Sequence, residues 1–328
     1  MKRSLYLVAL LGLLLALALI AHHGFNNVAQ AFLAVGWGVF AVAAFHFIPL
    51  FFSVCAWQRV MHRVWPADYT YFLQARLVRE AVNNLLPAGQ VGGDLVGARL
   101  LTFNGAPAAS ATAGVVIDMT LELLTQLIFT FMGLFLVMVR GGHDGELLRL
   151  SAGVGVAVLA IGGYVIAQRY GLFKIIERLL QITAAQLNQP ALGVFSNLHE
   201  EVQGFYRDRR TWLSAAPYHF VSWLVGVGEI WLALHLMGVE PGWAACMVIE
   251  SLGQAVRSAG FIVPGALGVQ EGGLIFIGGW YGLDPSHALA LSLVKRVREF
   301  LLGLPMLIFW HHLESRRWLA RRLEMVGG

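Results

Sequence analysis

The sequence predicts an all-α integral membrane protein with about six full transmembrane helices and two opposed re-entrant hairpins in an inverted repeat. Three observations predict it. Hydrophobic residues make up 58% of the chain and charged residues 13%, about half the charged share of a soluble domain. Several apolar runs reach the roughly 20 residues that cross a bilayer. Two further apolar stretches are each broken near the middle by Pro and Gly while carrying charge.

The runs expected to cross fully are 4–22, 30–57, 109–139, 150–168, 211–237 and 287–311. Met1-Lys2-Arg3 ahead of the first run has the look of a signal peptide. Its apolar run to Ile20 exceeds the usual h-region of about 7–15 residues, so it is read as a retained span. The stretch 169–210 carries amphipathic pieces such as LFKIIERLLQIT and reads as a cytoplasmic, surface-lying helical loop. Cys55 and Cys246 stand alone in apolar stretches, which indicates neither a disulfide framework nor a cysteine metal site.

The broken stretches are 69–104 and 243–283. The first contains RLVREAVNNLLPAGQVGGDLVGARLL and the second ESLGQAVRSAGFIVPGALGVQEGG. Pro87 and Pro264 lack a backbone donor and end a helix. Gly89, Gly92 and Gly93 after the first, and Gly265 and Gly268 after the second, permit a tight turn and close backbone approach. Helix, break, helix at membrane depth is tolerated only inside protein or beside a wet cavity.

Sidedness follows from the basic residues. Lys2, Arg3, Arg59, Arg63, six residues from Arg169 to Arg210 and four from Arg316 to Arg322 make fourteen on one side. Arg140 and Arg149 fall on the other. By the positive-inside rule, both termini are cytoplasmic, in a bacterial inner membrane, and the hairpins enter from opposite sides. An acid follows each Pro by seven residues, Asp94 in one hairpin and Glu271 in the other. One polytopic domain over 1–328 is therefore expected. Its repeat halves are 30–139 and 211–311, and such repeats place binding sites near the midplane.

Lys295, Arg296, Arg298 and Glu299 in the last span together cost on the order of 10 kcal/mol at a bilayer centre, so they are expected to line a protein-enclosed cavity. Pairing of Arg296 and Lys295 with Glu299 is expected at helical spacing. Asp118 and Glu122, four apart on one face, read as a proton-carrying pair or as partners for Arg79 and Arg99. Glu229 and Glu250 read as helix-pairing acids. His46, His219 and His235 read as packing residues.

At these residues the chain resembles the flippase-like membrane region of the lysylphosphatidylglycerol synthase family. NNLLPAGQVGGD, from Asn83 to Asp94, and VPGALGVQEGG, from Val263 to Gly273, carry the resemblance. The second is similar to that family's P-G-x-x-G-x-x-E element, at Pro264, Gly265, Gly268 and Glu271. Around both motifs the wording is most similar to hopanoid-biosynthesis-associated members. The bifunctional synthases carry a soluble transferase domain after the membrane region, which is not found by Gly328, so the synthase chemistry is not transferred. The resemblance implies movement of a lipid between leaflets, or handling of a polyprenyl or hopanoid lipid.

Three function classes stay open. In a lipid transporter the head group meets Arg79, Glu80, Asn83, Asn84, Asp94 and Arg99 of the first hairpin. Arg257 and Glu271 of the second, and Arg296, Arg298 and Glu299 of the last span, complete that set. Arg suits phosphate because its planar fork donates in pairs. A membrane-embedded lipid-modifying enzyme would use the same acids and bases. A structural subunit would use them for assembly, with a lipid-biosynthesis enzyme or a second copy of the chain as partner. The sequence contains no HExxH, P-loop or nucleophile elbow. No cofactor, metal or nucleic acid is expected.

Overall fold

The computed structural model describes residues 2–86, 92–139, 197–260 and 263–326, with scattered positions between 155 and 168. All regular structure among them is helical. Outside them lie Pro87, Gly89, Arg140, His143, Arg149, most of the expected span 150–168, and the loop up to residue 196.

The helices follow the apolar runs with one correction. α1 (Lys2–His23) is the first expected span. The expected span 30–57 is divided, because Gly36 sits at φ +50 and ends α2 (Phe25–Val35). The membrane-length helix begins only at Gly38. It comprises α3 (Gly38–Phe45) and α4 (Phe47–Met61). These are continuous through His46, whose N–H donates to Val42 O at 3.1 Å and whose carbonyl accepts from Leu50 at 3.1 Å.

α5 (Tyr69–Leu85) and α6 (Gly92–Phe103) form the first broken stretch, and α7 (Ala108–Val139) follows it. α8 (Leu198–Arg207) buries Leu198, Val202 and Phe205 against α7. α9 (Arg209–Leu236) leads to the second broken stretch: α10 (Trp243–Ala259), a 3-10 turn at Pro264–Ala266, and α11 (Val269–Gly279). α12 (Pro285–Val326) closes the bundle. Among the described residues, Gly38–Met61, Ala108–Val139 and Arg209–Leu236 are long and apolar enough to cross a membrane.

α9 sets the long axis. Its 28 residues span about 42 Å at 1.5 Å per residue. At its start Asp208 is ion-paired with Arg63, 2.7 Å away, just beyond the end of α4. At its other end Trp231 stacks on Trp243, the first residue of α10, at 5.8 Å between ring centroids. The two broken stretches therefore depart from opposite ends of the bundle. The helices that lead into them touch: Arg257 Nη2 donates to Asn84 Oδ1 at 3.0 Å, and α5 packs on the Pro264–Ala266 turn.

Burial is layered along this axis. One apolar core, around Trp57, Phe72, Leu101 and Ile117, fills the Arg63 end. A second, around Phe129, Ile230, Ile249 and Leu291, fills the opposite end. α12 shows the inverted logic of a membrane protein. Lys295, Arg298 and Glu299 are buried, while Phe300, Leu304 and Ile308 are 51%, 50% and 70% exposed. Lipid can solvate the apolar face, and only protein can solvate the charged one.

Candidate functional site

Between the two apolar cores lies a layer of charge surrounding a cavity of about 290 Å³. Arg76 and Arg79 leave α5 one helical turn apart. Arg76 forms a fork on Glu122, with Nη1 and Nη2 at 3.1 and 2.7 Å from its two oxygens, and Nε donates to Glu80 at 3.0 Å. Arg79 donates to Asp118 at 2.7 Å and Glu122 at 3.3 Å, and its Nε pairs with Asp94. On its far side Asp118 meets His219 Nε2 at 2.9 Å.

Backbone chemistry holds this half in place. Asn83 Oδ1 accepts the Gly93 N–H at 2.8 Å, tying the end of α5 to the start of α6. A Cβ on residue 93 would lie 2.1 Å from Arg79 O, so only glycine permits the approach that lets Asp94 reach Arg79.

The second half is built differently. Arg257 donates to Gln270 at 2.6 Å and pairs with Glu299 at 2.8 Å, besides its bond to Asn84. Glu271 does not reach Arg257. One oxygen accepts the Gly268 N–H at 2.7 Å, and the other accepts from Ser292 at 2.8 Å and Arg296 at 3.0 Å. Arg296 also donates to Gly265 O at 3.1 Å. Gly265 and Gly268 adopt φ of +61 and +78, the left-handed region that favours glycine. Asp94 and Glu271 each occupy the third position of the helix after a break.

The sequence-derived candidates separate accordingly. Arg79, Glu80, Asn83, Asn84 and Asp94 line the cavity, as do Arg257, Arg298 and Glu299. Glu271 and Arg296 do not; they brace the second break. Arg99 is a correction. It is 53% exposed at the end of the bundle and paired with Glu314 at 2.7 Å, because its place late in α6 carries it away from the break. The expected pairs within the last span are also corrected, since facing helices offer better geometry. Lys295 binds Glu250 at 2.7 Å, and Glu299 takes Arg257. Asp118 and Glu122 are partners of Arg79, as one of the two expectations held, and Arg99 is not among their partners.

Sequence reasoning missed Arg76, His46 and His219 as site members. His46 Nδ1 lies 2.9 Å from Glu229 and 2.9 Å from Arg298 Nη1. The partners are 183 and 252 positions away, so no local spacing could have revealed them. For Arg76 a signal existed: it and Glu80 stand at i,i+4 on the face that also carries Arg79.

An all-helical bundle with charge enclosed between apolar ends, and two opposed broken helices, defines a polytopic membrane protein. The family of the lysylphosphatidylglycerol synthase TM region matches residues 5–306, and the chain belongs to that family. It is similar to two UPF0104 membrane proteins of Methanothermobacter thermautotrophicus. One is 22% identical over 237 residues, covering 68% of this chain and 69% of the relative. The other is 24% identical over 264 residues, covering 75% and 74%. No solved structure matches the chain.

Proposed function

We propose that the protein moves a polar-headed membrane lipid between leaflets. The observation that carries this reading is a half-open cavity lined by charged and amide side chains of both broken stretches, in a bundle that turns large apolar side chains such as Phe300, Leu304 and Ile308 outward. A head group cannot cross hydrocarbon unaided, whereas here it meets guanidinium, carboxylate and amide groups while its tails remain in lipid. In this reading both broken stretches are re-entrant, the termini are cytoplasmic, and the protein resides in the inner, cytoplasmic membrane. Phospholipids, polyprenyl-linked lipids and hopanoids are the candidate cargoes.

The pairing pattern refines how a head group is held. Arg76, Arg79, Arg257 and Arg298 each already contact a carboxylate. A phosphate therefore enters by exchange, displacing Glu122 or Glu299 from its arginine, and this keeps binding weak enough for release. Glu122 and Glu80, with side chains 22% and 27% exposed, are the carboxylates freest to move.

The test is reconstitution in phosphatidylethanolamine–phosphatidylglycerol vesicles with fluorescent anionic, zwitterionic and neutral-headed lipids, followed by quenching of the outer leaflet. Faster transbilayer movement of one head-group class than in protein-free vesicles is expected. Arg257→Ala should lower that rate in protein that remains folded. If all three classes move at the protein-free rate, lipid translocation is wrong. If every charge-removing variant either misfolds or transports normally, the charged layer is a scaffold.

A further inference from the structure

His46 stands at the cavity wall with two mutually exclusive hydrogen bonds. One ring nitrogen, Nδ1, has a carboxylate of Glu229 and a guanidinium N–H of Arg298 both at 2.9 Å. It cannot donate to one and accept from the other at once. When the ring is protonated, Nδ1–H donates to Glu229 and Nε2–H faces Glu80 at 3.5 Å. When the ring is neutral with its proton on Nε2, Nδ1 accepts from Arg298 and lets go of Glu229. The charged groups facing the ring are thus Glu80 from α5, Glu229 from α9 and Arg298 from α12. Arg298 is itself paired with Glu229 and lies 3.7 Å from Glu299.

The charge inventory supplies a second, independent observation. Among the described residues the cavity is lined by four cations, Arg76, Arg79, Arg257 and Arg298. It is lined by six carboxylates, Glu80, Asp94, Glu122, Glu229, Glu250 and Glu299. Adding Lys295, bound to Glu250, and Asp118, bound to Arg79, leaves the excess at two negative charges. Two histidines line the same cavity, His46 and His219, and each touches a carboxylate. With all these carboxylates ionised, a proton on each ring makes the layer neutral, and an uncompensated charge in such surroundings is costly. His219 is 1% exposed beside a fully buried Asp118, whereas the His46 side chain is 18% exposed. His46 is therefore the ring that can exchange a proton with cavity water.

We propose that the cavity binds a proton at His46 as a second ligand, and that this proton is coupled to lipid movement. The coupling rests on the lipid-transport reading; the proton site does not. A proton from cavity water adds to the imidazole and later returns to water, with no other bond made or broken. Its arrival moves His46 from Arg298 on α12 to Glu229 on α9 and Glu80 on α5. The proton thereby changes which elements the ring links, and α5 is the first arm of a broken stretch.

The test uses the full chain, labelled with nitrogen-15 at histidine, in lipid nanodiscs titrated from pH 5 to 9. Among the chain's eleven histidines, the imidazole signal that vanishes from the spectrum of His46→Gln is expected to change protonation state in that range. In Glu80→Gln the same signal should need at least tenfold more acid to protonate, because a facing negative charge has gone. Should His46→Gln not fold, the displacement in Glu80→Gln identifies the resonance without it. A His46 ring that keeps one state throughout, or that Glu80→Gln leaves unmoved, overturns the proton site. In phosphatidylethanolamine–phosphatidylglycerol vesicles, the rate for a fluorescent phosphatidylglycerol should change severalfold between pH 6 and 8. Its midpoint should move with the His46 titration in Glu80→Gln. A pH-independent rate in protein whose His46 titrates overturns the coupling. Absence of any lipid movement instead refutes transport, and the nitrogen titration alone then decides the proton site.

Discussion

At the scale of single residues, close packing and buried charge make opposite demands, and both can be tested. Gly93 carries the approach of α6 to α5, since an added Cβ would meet Arg79 O at 2.1 Å. Gly93→Ala is expected to lower stability by about 1–3 kcal/mol through forced backbone shifts. Gly272, in α11, has open space at its Cβ position, and Gly272→Ala should be neutral or slightly stabilising. Thermal denaturation of both variants in detergent makes the comparison; equal melting points would refute the steric argument. Charge gives a parallel contrast. Asp118 is fully buried and serves Arg79 and His219 together, so Asp118→Asn takes the carboxylate from His219 and one of three from Arg79, at a cost of about 3–5 kcal/mol. Arg99 and Glu314 form an exposed pair, and Arg99→Ala should cost under about 1 kcal/mol. A loss of folded protein in Arg99→Ala comparable to that in Asp118→Asn would contradict this placement.

At the scale of elements, the helices that sequence reads best are those whose ends are set locally. The second break was legible because Pro264 and the positive-φ glycines act on their own neighbours, whatever the surroundings. The division at Gly36 was missed because the apolar run continues across it; the GWG at residues 36–38 was the available sign. That Lys295, Arg298 and Glu299 cannot face lipid was legible from their cost alone. Which acid each cation takes was not, because Glu250 and Arg257 belong to α10, which only the fold brings alongside α12. α9 shows a local device with a pH signature. Asp208 caps it, accepting from the Arg210 N–H at 3.2 Å and the Thr211 hydroxyl at 2.7 Å. The Thr211 hydroxyl, and Arg63 after it, hold this carboxyl down to about 2. A depressed carboxyl contributes stability above its ordinary value near 4 and loses it as pH falls through about 2. Asp208→Ala is expected to cost about 0.5–2 kcal/mol at neutral pH, with the difference from wild type disappearing toward pH 2. Denaturation midpoints of the two proteins across that range would test it. A constant gap would show that the charge is not what caps α9.

At the scale of the whole molecule, packing gathers at one end of the bundle some of the basic residues that the fourteen-to-two division groups together. The charge rule groups Arg63 with Arg207–Arg210 and with the C-terminal arginines on the cytoplasmic side. The fold independently places Arg63 against Asp208 at 2.7 Å. It also stacks Arg317 on Phe103 at 4.0 Å, where α6 ends. The opposite end carries the His235–Glu240 contact at 2.9 Å and the stacked Trp231 and Trp243, and aromatic rings of this kind settle at a membrane interface. α12 extends well past this frame, since 42 residues make about 63 Å of helix against a hydrocarbon core of about 30 Å. Its arginine-rich end must therefore project into water on one side. The expected outcome is that a cysteine at Ser315 and one at Arg210 are labelled from the cytoplasmic face, and one at Pro241 from the external face. The measurement needs a background with Cys55 and Cys246 replaced and a membrane-impermeant maleimide applied to oriented membranes. Labelling of Pro241→Cys and Arg210→Cys from the same face would break the topology. The two stretches could then no longer enter from opposite sides, and a head-group path built on the contact of their first helices would fall with it.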